Sequence, residues 1–168
     1  MMLARDVLEV VDRLSATGVR AWLDGGWGVD ALIGRQTRDH DDLDLVIPLP
    51  EAGTARRALT ALGFEFTEDE ATLCFVARDA DDRRVDVHTV VFDEEGGGLQ
   101  RQEDGTSWRY PPEGFSGIGR VENRAVACLT AEVQVLCHLN YEPDTTDRRD
   151  MRLLAESCGV TLSAPYGS

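Results

Sequence analysis

The sequence predicts an α+β fold: a mixed or antiparallel sheet carrying helices on one side. Three observations carry that expectation. Apolar residues recur at helical spacing near both ends of the chain, strand-like runs fill its middle, and turn residues separate those runs. The resulting order is helix, strand, helix, strand, helix, three strands, then helices. No internal repeat or linker-like stretch divides the chain, so residues 1–168 are expected to form a single domain, long enough to bury a core.

The first helix is expected over Leu3 to Ala16, where Leu3, Val7, Val10, Val11 and Leu14 fall on one stripe. Thr17-Gly18 ends it. A short strand over Ala21 to Leu23 leads into Asp24-Gly25-Gly26, then a helix from Trp27 to Ile33 closed by Gly34. Arg35 to His40 reads as a polar loop. Leu43 to Ile47 reads as a strand stopped by Pro48 and Pro50, and Glu51 to Leu62 as a helix stopped by Gly63. Strands are expected over Phe64 to Phe66, Ala71 to Ala77 and Arg84 to Phe92, with turns at Glu68-Asp69-Glu70 and Asp79 to Asp82. Residues 93–120 are rich in Gly, Pro and charge and read as a long loop with one or two short strands. A strand over Arg124 to Cys128 follows, then a helix capped by Thr130 and reaching about Tyr141, and a last helix from Thr146 to Ser157.

Composition narrows the class. Hydrophobic residues make up 42% and charged residues 29%, ordinary for a soluble globular protein. No apolar run approaches the roughly 20 residues that span a bilayer. The opening MMLARDVLEVVDRL alternates charged and apolar residues and lacks a signal-peptide core, so a cytoplasmic protein with no membrane contact is expected. Cys74, Cys128, Cys137 and Cys158 form no CxxC pair and stand at no zinc-like spacing from His40, His88 or His138, so reduced thiols are expected. The net charge is -14, and all 17 basic residues are arginine. Such a surface repels nucleic acid and favours a cationic partner, although acidic charge also serves solubility alone.

Three segments carry chemistry. In Asp24-Gly25-Gly26-Trp27 the glycine pair between strand and helix lets backbone approach an anion at a helix N-terminus; an ordinary tight turn is the competing reading. In His40-Asp41-Asp42-Leu43-Asp44-Leu45 the carboxylates of Asp42 and Asp44 project from one strand face while Leu43, Leu45 and Ile47 face the core. Two adjacent carboxylates repel unless a cation joins them, and magnesium suits oxygen ligands and phosphate; a solvated acidic edge is the alternative. In Arg84-Val85-Asp86-Val87-His88 the acid is flanked by valines facing the other way, and is costly unless metal-bound or ion-paired with Arg84 or another arginine. Together Asp42, Asp44 and Asp86 can hold two metals about 3.5–4 Å apart.

The joint pattern of glycine pair, Asp-x-Asp and a later lone Asp resembles the polymerase-β-like nucleotidyltransferase superfamily. The stretch Trp22-Leu23-Asp24-Gly25-Gly26-Trp27-Gly28-Val29-Asp30-Ala31-Leu32, running on through Gly34-Arg35-Gln36-Thr37-Arg38-Asp39-His40-Asp41-Asp42-Leu43-Asp44, narrows the likeness. It is similar to small antibiotic nucleotidyltransferases, above all the short lincosamide nucleotidyltransferases and, less so, the aminoglycoside 2''-nucleotidyltransferases. The likeness continues through Val85-Asp86-Val87-His88, Glu94 to Leu99, and His138 to Tyr141 with Asp147 and Asp150.

The resemblance implies a mixed sheet with flanking and C-terminal helices, and a nucleoside triphosphate as co-substrate. Asp42 and Asp44 would bind Mg2+, Asp86 would bind metal and act as general base, and Gly25 and Gly26 would hold the triphosphate. Arg35, Arg38 and His40, in the loop before the metal strand, would neutralise phosphate charge or stand as solvated loop charges. Asp30 would touch nucleotide or substrate, or tie down the following loop. The acceptor would be the hydroxyl of a small, cationic antibiotic, a lincosamide by the likeness; an aminoglycoside is the alternative. Acidic loops at Glu68 to Glu70 or Asp93 to Glu95 could draw its amine, and Trp108, Tyr110, Phe115 and Tyr141 could form an apolar wall. The small size is compatible with a homodimer sharing the acceptor site. Two further classes stay open: a toxin-like nucleotidyltransferase modifying protein or RNA, against which the acidic charge argues for RNA, and a non-catalytic relative, against which the three aspartates argue.

Overall fold

The computed structural model describes residues 1–70, 74–102, 105–139 and 141–167. Its elements are α1 (Ala4–Ala16), β1 (Trp22–Asp24), α2 (Gly25–Ile33), β2 (Asp42–Pro48), a 3-10 turn (Leu49–Glu51), α3 (Ala52–Thr60), β3 (Glu65–Glu70), β4 (Cys74–Arg78), β5 (Arg84–Phe92), β6 (Gly98–Arg101), β7 (Ser107–Tyr110), a second 3-10 turn (Pro112–Ser116), β8 (Gly117–Val121), β9 (Arg124–Cys128), α4 (Ala131–Cys137) and α5 (Thr145–Cys158). The strands form a mixed sheet in the order β3-β4-β5-β2-β1-β9-β8, and the β6–β7 hairpin hangs from β5. β2 runs parallel to β5 and β1 parallel to β9; the other pairs are antiparallel.

β2 shows how sequence alternation becomes architecture. Leu43, Leu45 and Ile47 enter the main core with Val85 and Val87 of β5, Val7, Val10 and Leu14 of α1, and Ala55, Ala58 and Leu59 of α3. The alternate residues face the other way, as the two-residue period of a strand requires. There Val46 and Val90 pack with Tyr110, Leu129 and Val133 in a smaller cluster. Helices therefore do not keep to one side: α1 and α3 cover one face, whereas α4 and the β6–β7 hairpin cover part of the opposite one. A third cluster joins Val29 of α2 to Ala131 and Val135 of α4 and Met151 and Leu154 of α5. Among the described residues, no helix is long and apolar enough to cross a membrane.

Several expectations change. The acids at 68–70, expected as a turn, belong to β3, an edge strand with a register shift between Phe66 and Glu68. An edge strand tolerates charge that a central strand would not. The expected strand start at Ala71 to Leu73 lies outside the described residues. Residues 93–120 hold three strands, because the hairpin and β8 each find a pairing edge too distant in sequence to be read locally. Thr130 does stand before α4, but its hydroxyl makes no capping hydrogen bond, and the helix ends at Cys137 instead of near Tyr141.

Candidate active site

β1, β2 and β5 set a row of aspartates across the sheet. Asp24 stands opposite Asp44, and Asp44 opposite Asp86. Residues opposite one another in register share a face, so the carboxylates project together. Asp42 stands opposite Arg84, and Val46 opposite His88. The parallel pairing of β2 with β5 is what brings residues 42–44 and 84–88 side by side.

Crowded acids in a half-buried row become harder to ionise. Burial pushes the Asp86 carboxyl up to about 6, Asp44 adds to the shift, and Arg84 opposes it. Burial and then Asp44 raise Asp42, again against Arg84. Burial raises Asp24, with His88 opposing and Asp44 adding. Burial alone would lower His88, but Asp44, Asp24 and Asp86 outweigh it and hold the imidazole above its ordinary value. Its other ring nitrogen lies 3.2 Å from the Gln100 amide, and Gln100 accepts a 2.7 Å bond from the Tyr110 hydroxyl, which links β5 to the hairpin.

The glycine pair closes in on this row. Gly25 has φ +54, and a Cβ there would lie 2.2 Å from Asp44 Oδ2. A Cβ on Gly26 would lie 2.5 Å from both an Arg38 guanidinium nitrogen and His40 Nδ1. Any side chain would thus displace the acids or the loop, apart from backbone strain. α2 begins here; the Gly25 N–H donates to the Asp24 carboxylate at 2.8 Å, and the N–H groups that follow in the first turn border the site.

These elements open into a cavity of about 570 Å³. Asp24, Gly25, Gly26, Arg38, Asp42 and Asp44 line it, as do His88, Gln100, Gln102, Thr106, Ser107, Trp108, Tyr110, Cys137, His138, Tyr141, Asp147 and Asp150. Arg38 is held by Asp150 through Nε and Nη2, each at 3.0 Å. The sequence-predicted residues therefore divide. Gly25, Gly26, Arg38, Asp42 and Asp44 border the cavity, and Asp86 stands beside Asp44. Asp30 and His40 are buried against each other instead, with His40 Nε2 2.6 Å from Asp30 Oδ2. Asp30 also accepts from the Thr37 amide (2.9 Å) and hydroxyl (2.6 Å), so it ties down the 35–40 loop. Although burial opposes it, bonding to His40 and Thr37 keeps the Asp30 carboxyl below its usual range. Arg35 lines a separate, smaller cavity with Trp27 and Arg120. Phe115 is not part of the cavity wall: it packs on Trp22 and Phe92. Asp93 and Glu95 pair with Arg109 of β7, and the side chains of 68–70 lie outside the described residues.

The donor set suits a hard divalent cation, being all carboxylate oxygen. Asp86 Oδ1 is moreover buried with no hydrogen-bond partner, which is costly in the absence of a cation. As the side chains stand, no three His, Cys or acidic groups among the described residues converge as ligands. The Arg84 guanidinium instead lies 2.6 Å from Asp86 and 3.6 Å from Asp42. Together, the site can cradle a polyanion between α2 and Arg38 and present acids to a reacting hydroxyl.

The family model for aminoglycoside-2''-adenylyltransferases matches residues 6–154. The chain belongs to the aminoglycoside-2''-adenylyltransferase family. It is a nucleotidyltransferase with a polymerase-β-like fold. A lincosamide resistance protein of Staphylococcus haemolyticus is 25% identical over 150 residues, covering 89% of this chain and 92% of that protein. A 2''-aminoglycoside nucleotidyltransferase of Klebsiella pneumoniae is 30% identical over 120 residues, covering 71% of this chain and 63% of its own length. Among solved structures, lincomycin-bound LnuA, a lincosamide antibiotic adenylyltransferase, superposes with a TM-score of 0.81 at 24% identity, covering 91% of this chain and 96% of that one.

Two members of the acid-lined site carry little signal in the sequence. Asp24 reads as a turn residue before the glycines, yet it is the β1 member of the acid row; its place at a strand end was the available signal. Arg84 reads as one of several partners for Asp86, yet its spacing of two residues along a strand already placed it on the same face.

Proposed function

We propose that residues 1–168 act as one adenylyltransferase-like domain that moves a nucleoside monophosphate from a nucleoside triphosphate to a hydroxyl of a lincosamide antibiotic. The observation that carries this reading is the in-register row of Asp24, Asp44 and Asp86, of which Asp24 and Asp44 line, with Asp42, a cavity that the N-terminus of α2 also borders. Asp42, Asp44 and Asp86 would hold magnesium, which would supply charge neutralisation for the triphosphate. The backbone of Gly25 and Gly26, with the first turn of α2, cradles the phosphates, and Arg38, aimed by Asp150, offers them a guanidinium. The acceptor oxygen attacks the α-phosphorus, the bond to the bridging oxygen breaks, and pyrophosphate leaves. The hydroxyl proton passes to Asp86 as general base.

The acceptor reading rests on the far wall. Trp108, Tyr110 and Tyr141 offer an apolar surface. Asp150 is engaged by Arg38, and Asp147 accepts from the Tyr141 hydroxyl and the Asp144 amide, so that wall keeps enough negative charge to meet a single amine and not several. A polycationic aminoglycoside would call for more free carboxylates there. The family relation keeps aminoglycosides as the second reading. Purified protein is incubated with magnesium, mixed triphosphates and, separately, lincomycin or tobramycin, and products are weighed by mass spectrometry. A nucleotidyl adduct on lincomycin, with little or none on tobramycin, is expected. An adduct on tobramycin alone overturns the substrate while keeping the reaction; no adduct on either overturns the antibiotic reading.

A further inference from the structure

One cation already sits in the acid row, and it belongs to the protein. Arg84 stands opposite Asp42 in the parallel ladder and two residues before Asp86 on the same strand, so the backbone aims all three at one face. Its guanidinium bridges strands: Nη2 is 2.6 Å from Asp86 Oδ2, and Nη1 is 3.6 Å from Asp42 Oδ2. We infer that Arg84 is a resident counter-ion that a divalent metal must displace, so that the acid row resists a lone metal ion and admits it as a metal–triphosphate complex. The inference rests on the assignment of Asp42, Asp44 and Asp86 as metal ligands proposed above.

Two features separate this from an ordinary structural ion pair. A guanidinium that pairs most strongly with a carboxylate does so with both arms of its fork, as Arg38 does with Asp150. Here the contact with Asp86 is one-armed, and polar atoms on both partners, Arg84 Nε and Asp86 Oδ1, are buried without hydrogen bonds. The pair neutralises charge without satisfying the groups that carry it, an arrangement open to exchange. The second feature is chemical. Arginine cannot shed its proton, so a displaced guanidinium keeps its charge and needs a new anion. A bare metal ion brings none. A metal–triphosphate complex brings cation and anion together, so the acids and Arg84 can trade partners in one event.

The test reads metal binding, not turnover. Mn2+ is titrated without nucleotide into the parent protein, Arg84→Met and Arg84→Lys, with free Mn2+ followed by electron paramagnetic resonance. Arg84→Met is expected to bind Mn2+ roughly tenfold more tightly or better, because no competing cation must leave first. Arg84→Lys, a charge without the two-armed reach, is expected to fall between, and it serves alone should Arg84→Met fail to fold. With a nonhydrolysable triphosphate present, the difference between parent and variants should shrink. Equal or weaker Mn2+ binding by the variants overturns the role of Arg84 and leaves the metal assignment standing. Tight binding that survives adding Asp44→Asn to either variant, or no Mn2+ binding in any protein with or without triphosphate, overturns the metal assignment itself.

Discussion

At the scale of single residues, Asp86 concentrates the electrostatics of the site. Burial and the neighbouring Asp44 push its carboxyl to about 6. Carboxyl carbon NMR of the metal-free protein should show one aspartate titrating in that region, and Asp44→Asn should move it down by removing a like charge. The sign for stability follows from linkage: the folded state holds this proton more tightly than the unfolded chain does. Metal-free stability should therefore rise as pH falls through about 6 and level off below the ordinary aspartate value of about 3.9. Asp44→Asn should also lower turnover by roughly a hundredfold or more while melting at or above the parent temperature without metal, since it relieves repulsion in the row. Near-normal turnover in that variant would remove Asp44 from the chemistry. Asp42, Asp44 and Asp86 were legible one by one, because strand periodicity tells which face each takes. Their grouping was expected from the joint pattern, but the in-register row with Asp24 was not legible, because nothing local fixes how β1, β2 and β5 pair.

At the scale of elements, the β4–β5 turn shows how a short motif anchors a long strand. Asp79 accepts from the amides of Asp81 (3.0 Å) and Arg83 (2.9 Å) and from Arg83 Nε (2.5 Å). Arg83 reaches on to Glu9 of α1 at 2.7 Å, so the turn clamps the sheet to that helix. Burial opposes ionisation of Asp79, but bonds to the Arg83 backbone and side chain outweigh it and hold the carboxyl below its usual range. Its contribution to stability is therefore present above about pH 3.9 and lost as pH falls through the lowered folded value. Asp79→Ala should cost about 1–3 kcal/mol at neutral pH, and the gap from the parent should close in acid denaturant titrations. A gap that persists unchanged at the lowest pH would show that the loss is not one of charge. This turn was legible, since Asp and Gly-free polar runs between valine-rich strands signal it locally. The β6–β7 hairpin was only partly so, because its pairing with the far end of β5 is a tertiary choice.

At the scale of the whole molecule, the cavity depends on α5 meeting α2. Met151 and Leu154 are buried with Val29 of α2 and Val135 of α4, and Asp150 beside them holds Arg38 over the site. Tyr166 in the C-terminal segment braces the same corner through a 2.7 Å bond to the His138 carbonyl. Met151→Ala should cost about 2–5 kcal/mol, and, by loosening Asp150, should raise the KM for nucleotide more than it lowers kcat. Differential scanning calorimetry and steady-state kinetics check the two parts. A stability loss with unchanged KM would separate the packing of α5 from the placement of Arg38.

What the sequence by itself determined is local: the helix stripe of α1, the alternation that turns Asp42 and Asp44 away from Leu43 and Leu45, the glycine pair before a helix, and the turn at Asp79. Each follows from a period or spacing of a few residues; the reaction class was implied by the family resemblance that the acids and glycines carry. Only the tertiary structure decided which local options were used. The loop before β2 offered three cations to a phosphate; packing buried His40 against Asp30, turned Arg35 to another cavity, and left Arg38 at the site. The ladder between β2 and β5 put Arg84 against two acids at once, and α5 brought Asp147 and Asp150 to the cavity from more than a hundred residues beyond the glycines. A side chain's face is set by its neighbours in the chain, but its partner is set by register and packing between segments distant in sequence.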